Sequence, residues 1–135
     1  MIDDECVYVD ASALGRALQR APTGAAVLEA LGAFDVRTSS ELLRVELRRM
    51  AARRGIADES AQELLAQIAL VPLDGEMLEA AETVTPTDVS TLDALHLATI
   101  LRLRENDAVD AVLTYDEGLA RACAEHGIHV LSPEA

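Results

Sequence analysis

Four acidic residues lie where a carboxylate could bind a metal ion. Asp10 ends a short apolar run near the start of the chain, and Asp116 follows another apolar run near its end. Asp93 lies in the first turn of one predicted helix, and Glu46 lies in the middle of another. Hard divalent cations such as Mg²⁺ and Mn²⁺ prefer carboxylate oxygens, and a bound cation of this kind can activate water against a phosphodiester. A cluster of these side chains would therefore suit metal-assisted phosphodiester hydrolysis.

Each carboxylate also has a purely structural interpretation. Asp10 and Asp116 could each cap the helix that follows, and Asp93 follows Ser90 at the spacing of a capping box. Asp10 and Asp93, however, lie in apolar sequence, where a lone carboxylate is costly to bury and where neighbouring carboxylates raise one another's pKa. A divalent cation would remove both costs, so the four acids together favour a metal site.

The elements that must position these residues alternate along the chain. Apolar runs predict strands at 6–10, 35–39, 70–73, 110–116 and 128–133, and amphipathic segments predict helices at 12–21, 25–32, 40–55, 58–69, 74–84, 91–105 and 117–127. Ser40 is a suitable N-cap for its helix, and Gly55 a suitable stop. Such alternation is typical of an α/β fold with helices on both faces of a parallel sheet, whose ligands bind beyond the carboxyl ends of the strands. Asp10 and Asp116 are therefore expected at one edge of the sheet.

Composition narrows the class of protein. The chain has 135 residues, which is the size of one domain, and half of them are hydrophobic. All eleven basic residues are Arg, so chemistry that needs lysine is excluded, including that of phosphoacceptor receiver domains. Two isolated cysteines, Cys6 and Cys123, are interpreted as reduced, buried thiols. The acidic N-terminus does not resemble a signal peptide and no apolar run is long enough for a membrane span, so we expect a cytoplasmic protein.

Four segments resemble, in order and spacing, the PIN-domain ribonucleases and specifically the VapC-type toxins of bacterial toxin–antitoxin pairs. They are YVDASAL, TSSELLRVELRR, STLDALHLATIL and VLTYDEGLARACAEHGIHVLSP. The resemblance covers the chain from about residue 6 to residue 133. It implies one PIN-like domain over residues 1–135, with a three-layer α/β/α fold and a central, mainly parallel sheet of about five short strands.

The resemblance also implies a metal-dependent endoribonuclease. The family's four catalytic and metal-binding acids, which would hold Mg²⁺ or Mn²⁺, fall on Asp10, Glu46, Asp93 and Asp116. Its hydroxyls near the site, expected to orient carboxylates or metal-bound water, fall on Ser12, Ser40 and Thr114. Ser90 departs from the pattern because many relatives have Arg there, which puts a phosphate or partner contact of that Arg in question and leaves the metal ligands intact.

Arginines are concentrated on the helix that contains Glu46. Arg49 and Arg53 share the Glu46 side of it and could meet an RNA phosphate, or they could pair with acids on a solvent-exposed face, as Arg49 could with Glu46 itself. The formal net charge of -13 predicts weak, salt-sensitive RNA binding. The scarcity of aromatic residues argues against stacking on a long single strand.

His96 lies three residues after Asp93, and we interpret it as a helix-face histidine packed against the sheet, since hard cations prefer oxygen. The resemblance implies a cognate antitoxin that blocks the acidic site, besides the RNA substrate. Apolar helices at 25–32 and 60–70 could supply its groove or a homodimer face, and no membrane partner is expected. The alternative function is a catalytically weak PIN-fold module that acts through protein or RNA contacts.

Overall fold

The structure is a computed structural model that describes residues 5–134, so residues 1–4 and Ala135 lie outside it. Seven helices and five strands alternate along this range. The strands are β1 (Cys6–Val9), β2 (Val36–Ser40), β3 (Ala69–Val71), β4 (Ala111–Leu113) and β5 (Val130–Leu131). The helices are α1 (Ala11–Leu18), α2 (Gly24–Gly32), α3 (Leu42–Arg53), α4 (Asp58–Leu65), α5 (Gly75–Ala81), α6 (Thr91–Glu105) and α7 (Glu117–Glu125).

The five strands form one parallel sheet in the order β3-β2-β1-β4-β5. The prediction of a PIN-like α/β/α fold with about five short strands is confirmed. In the central pair, Val9 of β1 lies opposite Leu113 of β4, so the residues that follow them, Asp10 and Thr114, emerge side by side. The sheet thus delivers two polar side chains from distant parts of the sequence to the same edge.

Alternation along β1 builds the two core layers. Val7 and Val9 point into a cluster with apolar residues of α1, α2, α3 and α4, whereas Tyr8 between them points into a second cluster with α6 and α7. Successive side chains of a strand face opposite sides of a sheet, so helices must cover both faces to bury β1 completely. α5 packs against α6 and extends the second layer.

The start of α3 differs from the prediction. Ser40 is the last residue of β2, where it pairs with Val71 of β3, and it is not the N-cap of the helix. Glu41 occupies the N-cap position without a capping bond from its side chain, while Ser40 Oγ accepts a hydrogen bond from Leu42 N at 3.1 Å. Strand pairing therefore extends one residue further than the serine alone suggested. Gly55, with φ at +66°, ends this segment as expected, because glycine adopts the left-handed conformation without strain.

Both cysteines are buried free thiols, as expected. Burial is the largest cause that raises the pKa of Cys123, to about 12, and it also raises the pKa of Cys6. Because the thiolate is the reactive form, both residues act as core side chains. Within residues 5–134, no helix combines the length and the apolar character needed to cross a bilayer.

Candidate active site

Asp10 lies directly after β1 and is 4% exposed. It caps α1, since its Oδ1 accepts a hydrogen bond from Ala13 N at 3.1 Å. The same oxygen accepts from Ser12 Oγ at 2.7 Å, and Oδ2 accepts from Thr114 Oγ1 at 2.7 Å. The structural and functional interpretations of this residue are thus compatible, because one carboxylate both caps the helix and stands at the sheet edge.

The surroundings of Asp10 set its charge and its orientation. Burial raises the pKa of its carboxyl, while the hydrogen bonds from Thr114 and Ser12 oppose that rise. Ser12 and Thr114 are themselves fixed, because Ser12 Oγ lies 3.1 Å from Thr114 Oγ1 and accepts from Tyr115 N at 2.8 Å. These contacts hold the Asp10 side chain in one conformation from both sides.

Asp93 and Asp116 form a second carboxylate group beside Asp10. Asp93 is buried in the first turn of α6, where Ser90 Oγ accepts from its backbone N at 3.1 Å. Asp116 caps α7 through Oδ1, which accepts from Leu119 N at 2.9 Å. Burial, and then the hydrogen bond to Asp116 and its charge, raise the pKa of Asp93 to about 6. Without a cation, burial and the neighbouring carboxylate therefore both oppose the ionisation of Asp93.

Gly118, near the start of α7, lies close to both carboxylates. A Cβ built at this glycine would lie 3.1 Å from Asp93 Oδ2 and 3.3 Å from Asp116 Oδ1. Any larger residue would crowd both oxygens, whereas glycine lets the backbone of α7 approach the pair. The two carboxylates and Gly118 thus lie together, and hard cations prefer carboxylate oxygens of this kind.

Glu46 is bonded to a histidine and not to an arginine. Its Oε1 lies 2.7 Å from His96 Nε2, so the suggested pairing with Arg49 is wrong. His96 is buried, as expected, and meets the Tyr8 ring edge to face at a centroid distance of 5.8 Å. Its Nδ1 also lies 2.6 Å from the Tyr8 hydroxyl. Our sequence reasoning missed these polar contacts.

A usable signal for the Tyr8–His96 contact was present in the sequence. Tyr8 is the polar-tipped residue in an otherwise apolar strand, and His96 lies one helical turn after Asp93 in an apolar stretch. Buried polar groups need partners, so two such groups in facing elements could have been paired with each other. What the sequence did not reveal was the crossing of α6 over the sheet that brings them together.

The remaining predicted residues divide into two groups. Ser40 Oγ bonds the backbone of Leu42 and contacts no carboxylate of the described chain. Arg49 and Arg53 are exposed and line a groove of about 310 Å³ together with Glu46 and the apolar side chains of Leu42 and Leu92. These two arginines take part in no ion pair with any residue from 5 to 134. Their guanidinium groups thus remain free to meet an anion beside Glu46.

The donor set fits a hard divalent cation, although it is not a preformed cage. In the range 5–134, no three His, Cys, Asp or Glu side chains are grouped so that they could hold a metal ion as they stand. Glu46 is bonded to His96 through Oε1, both oxygens of Asp10 accept hydrogen bonds, and Asp93 lies against Asp116. Neighbouring buried carboxylates, with the pKa of Asp93 raised to about 6, match the chemistry of Mg²⁺ or Mn²⁺.

Known proteins are similar to this sequence over nearly its full length. The family model described as PIN domain matches residues 7–125. The chain is 34% identical to ribonuclease VapC47 of Mycobacterium tuberculosis, over 96% of this chain and 98% of that protein. It is 32% identical to ribonuclease VapC46 of the same species, over 94% of this chain and 97% of that protein. The chain therefore belongs to the PIN-domain family and, within it, to the VapC-type ribonucleases.

Proposed function

We propose that this protein is an endoribonuclease that depends on Mg²⁺ or Mn²⁺ and acts as the toxin of a type II toxin–antitoxin system. The catalytic and metal-binding residues are Asp10, Glu46, Asp93 and Asp116. The observation that carries the proposal is that Asp10 lies after β1 next to Thr114 at the carboxyl edge of the sheet, and that Asp93 lies against Asp116 beside it. Two relatives named ribonuclease, which are similar to this chain over almost its whole length, support the same reaction.

A bound divalent cation would supply the activated water and the screening of phosphate charge that phosphodiester hydrolysis requires. The residues of the chain prepare that site. Thr114 and Ser12 hold Asp10 by hydrogen bonds, so its carboxylate is fixed in one orientation at the sheet edge. Burial and the neighbouring Asp116 make the ionised form of Asp93 costly, and a cation bound there would offset that cost.

The RNA would enter beside Glu46. Arg49 and Arg53 lie exposed along the groove next to this residue, and guanidinium groups bind phosphate oxygens in a two-pronged geometry. The excess of acidic residues elsewhere opposes general adhesion of RNA, so contacts are confined to this groove and the affinity falls with added salt.

The cognate antitoxin would cover the same face. The acidic site suits a basic side chain of a partner, and Val45 and Leu92, which are 51% and 50% exposed, offer apolar anchors beside Glu46. The exposed Leu28 of α2 offers a further apolar contact for a second copy of the chain, so we propose a homodimer as well. Light scattering on the purified protein, alone and with the antitoxin, tests both assemblies.

The deciding experiment compares the wild type with Asp10→Asn against total bacterial RNA in Mg²⁺ or Mn²⁺. We expect discrete cleavage by the wild type, and loss of cleavage in the variant and after addition of EDTA. The expected loss exceeds about 10³-fold, because metal-assisted stabilisation of the transition state amounts to several kcal/mol. Asparagine is as good a helix N-cap as aspartate, so the variant should remain folded.

Two outcomes would overturn the proposal. Equal residual cleavage by the wild type and by Asp10→Asn would identify a contaminating nuclease. A folded wild type that binds RNA or antitoxin without cleaving RNA in either metal would instead support the PIN-fold binding module.

A further inference from the structure

A chain of hydrogen bonds leads from the backbone of β2 through two buried side chains to the Glu46 carboxylate. Ser40 N donates to the Tyr8 hydroxyl at 3.2 Å, that hydroxyl lies 2.6 Å from His96 Nδ1, and His96 Nε2 lies 2.7 Å from Glu46 Oε1. Tyr8 and His96 are 0% and 2% exposed. The chain crosses the sheet from β2 through β1 to α6 and ends on α3.

The direction of these bonds follows from their last member. An ionised carboxylate can only accept, so His96 Nε2 carries a proton and donates it to Glu46 Oε1. In the neutral imidazole Nδ1 is then an acceptor, and the Tyr8 hydroxyl donates to it while the Tyr8 oxygen accepts from Ser40 N. Tyr8 thereby supports the histidine tautomer that presents a donor to the carboxylate.

The bond fixes one oxygen of Glu46 and leaves the other. Oε1 is held by His96, whereas Oε2 accepts no hydrogen bond from the residues that the structure describes. The side chain of Glu46 is 21% exposed, compared with 3% for His96, and Glu46 lines the open groove while His96 lies in the core. Histidine here acts on a carboxylate and has no open position for a cation, since both ring nitrogens are engaged.

We infer that His96, held by Tyr8, is a positioning residue that orients the Glu46 carboxylate for the metal ion. The inference rests on the proposed function, because Glu46 has a cation to bind only if that function holds. Hydrogen-bond partners of metal ligands set the ligand's orientation, and their loss weakens metal affinity about 10- to 100-fold. His96 and Tyr8 therefore belong to the active site although neither one contacts substrate or metal.

The test measures the Mn²⁺ dissociation constant of the whole chain by electron paramagnetic resonance, with RNA cleavage as a second readout. His96→Leu removes both bonds of the imidazole and should weaken Mn²⁺ binding about 10- to 100-fold. His96→Gln keeps an N–H donor at the place of Nε2 and should restore most of the affinity. Tyr8→Phe keeps the ring and removes the hydroxyl, so it should weaken binding in the same direction and by less than His96→Leu.

Two controls separate positioning from general damage to the core. Thr99→Val removes another buried hydroxyl of α6, which donates only to Leu95 O, and should leave Mn²⁺ binding unchanged. In a Glu46→Gln background, His96→Leu should cause no further loss, because the residue acts through Glu46. If His96→Leu does not fold, as judged by circular dichroism, Tyr8→Phe and His96→Gln carry the same comparison.

The outcomes distinguish the two proposals. A wild type that neither binds Mn²⁺ nor cleaves RNA overturns the proposed function and, with it, this inference. Weakened binding in Glu46→Gln together with wild-type binding in folded His96→Leu or Tyr8→Phe overturns the positioning role alone. Additive losses from His96→Leu and Glu46→Gln would likewise reject it.

Discussion

Asp10 and Asp93 are buried to a similar degree, at 4% and 8% exposure, yet their surroundings differ in kind. Asp10 accepts hydrogen bonds from Ser12, Ala13 and Thr114, which oppose the rise in its pKa. Burial raises the pKa of Asp93, and the neighbouring carboxylate of Asp116 raises it further, to about 6. Hydrogen bonds from the protein offset part of the cost of burying Asp10, whereas a second carboxylate adds to the cost at Asp93, where we propose that a cation binds.

The largest effect expected from this contrast is that of Asp93→Asn. It should abolish RNA cleavage, by more than about 10³-fold, and yet stabilise the metal-free protein at pH 7 by about 1 kcal/mol, a value that allows for solvent screening at the sheet edge. The stabilisation arises because a neutral amide beside Asp116 removes the repulsion between two carboxylates. Chemical denaturation in EDTA measures the stability.

The pH dependence of stability provides a second readout of the same variant. In the folded protein Asp93 holds its proton up to about pH 6, whereas in the unfolded chain it loses it near 3.8. The unfolded state binds fewer protons between these values, so the stability of the metal-free wild type should fall as the pH rises from about 4 to about 6. Asp93→Asn should show a shallower fall, since only Asp10 with its raised pKa remains, and an equally steep fall in the variant would contradict the assignment.

Thr114→Val tests the hydrogen bonds that hold Asp10. It removes the hydroxyl that donates to Asp10 Oδ2 and accepts from Asp116 N at 3.0 Å. We expect a loss of about 10- to 100-fold in cleavage and of about 1–3 kcal/mol in stability, since buried polar atoms lose their partner. Thr99→Val is the matched control, since it changes stability alone; equal losses of cleavage in both variants would show a general packing effect.

Gly118→Ala tests the proposed cation site at Asp93 and Asp116. The added methyl group would stand 3.1 Å and 3.3 Å from the oxygens of Asp93 and Asp116, in the space that a cation would use. The methyl group would crowd the two ligand oxygens, so Mn²⁺ affinity should fall about tenfold, which is similar in size to the loss of a hydrogen bond that supports a metal ligand. The helix α7 should remain folded because Ala is a better helix former than Gly. Gly32→Ala, in a helix where nothing lies within 4 Å, is the control; wild-type Mn²⁺ affinity in Gly118→Ala would place the cation elsewhere.

The smallest expected effect concerns the groove outside the acids. The double variant Arg49→Gln and Arg53→Gln should weaken RNA binding severalfold and reduce the slope of log K against log salt concentration by about one unit for each phosphate that is no longer bound. Arg104→Gln, at the far end of α6 from Asp93, removes a like charge outside the groove and should have little effect. Equal salt slopes in all three proteins would exclude these arginines as phosphate ligands.

Much of the fold could be predicted because its signals are local. The apolar runs and amphipathic periods specify strands and helices, and the helix over 91–105 has the same bounds in the structure as in the prediction. Boundaries that depend on pairing between strands were less certain, since Ser40 looks like a helix cap and is instead the end of β2. The residues proposed for the site were identified from the family pattern, whereas their contacts could not be predicted from it.

The sequence by itself determined the alternation of elements, the carboxylates at the strand ends and the membership of a ribonuclease family. Only the tertiary structure decided which hydrogen bonds and charges surround each acid. Thr114, 104 residues away in the sequence, donates to Asp10, and Asp116, which precedes α7, lies beside Asp93 of α6. The tertiary structure also decided that Glu46 meets His96 and not the arginine one turn further along its own helix. Charges and hydrogen bonds act through space over a few ångströms, and only the packing of α3, α6 and α7 around the sheet brings these atoms that close.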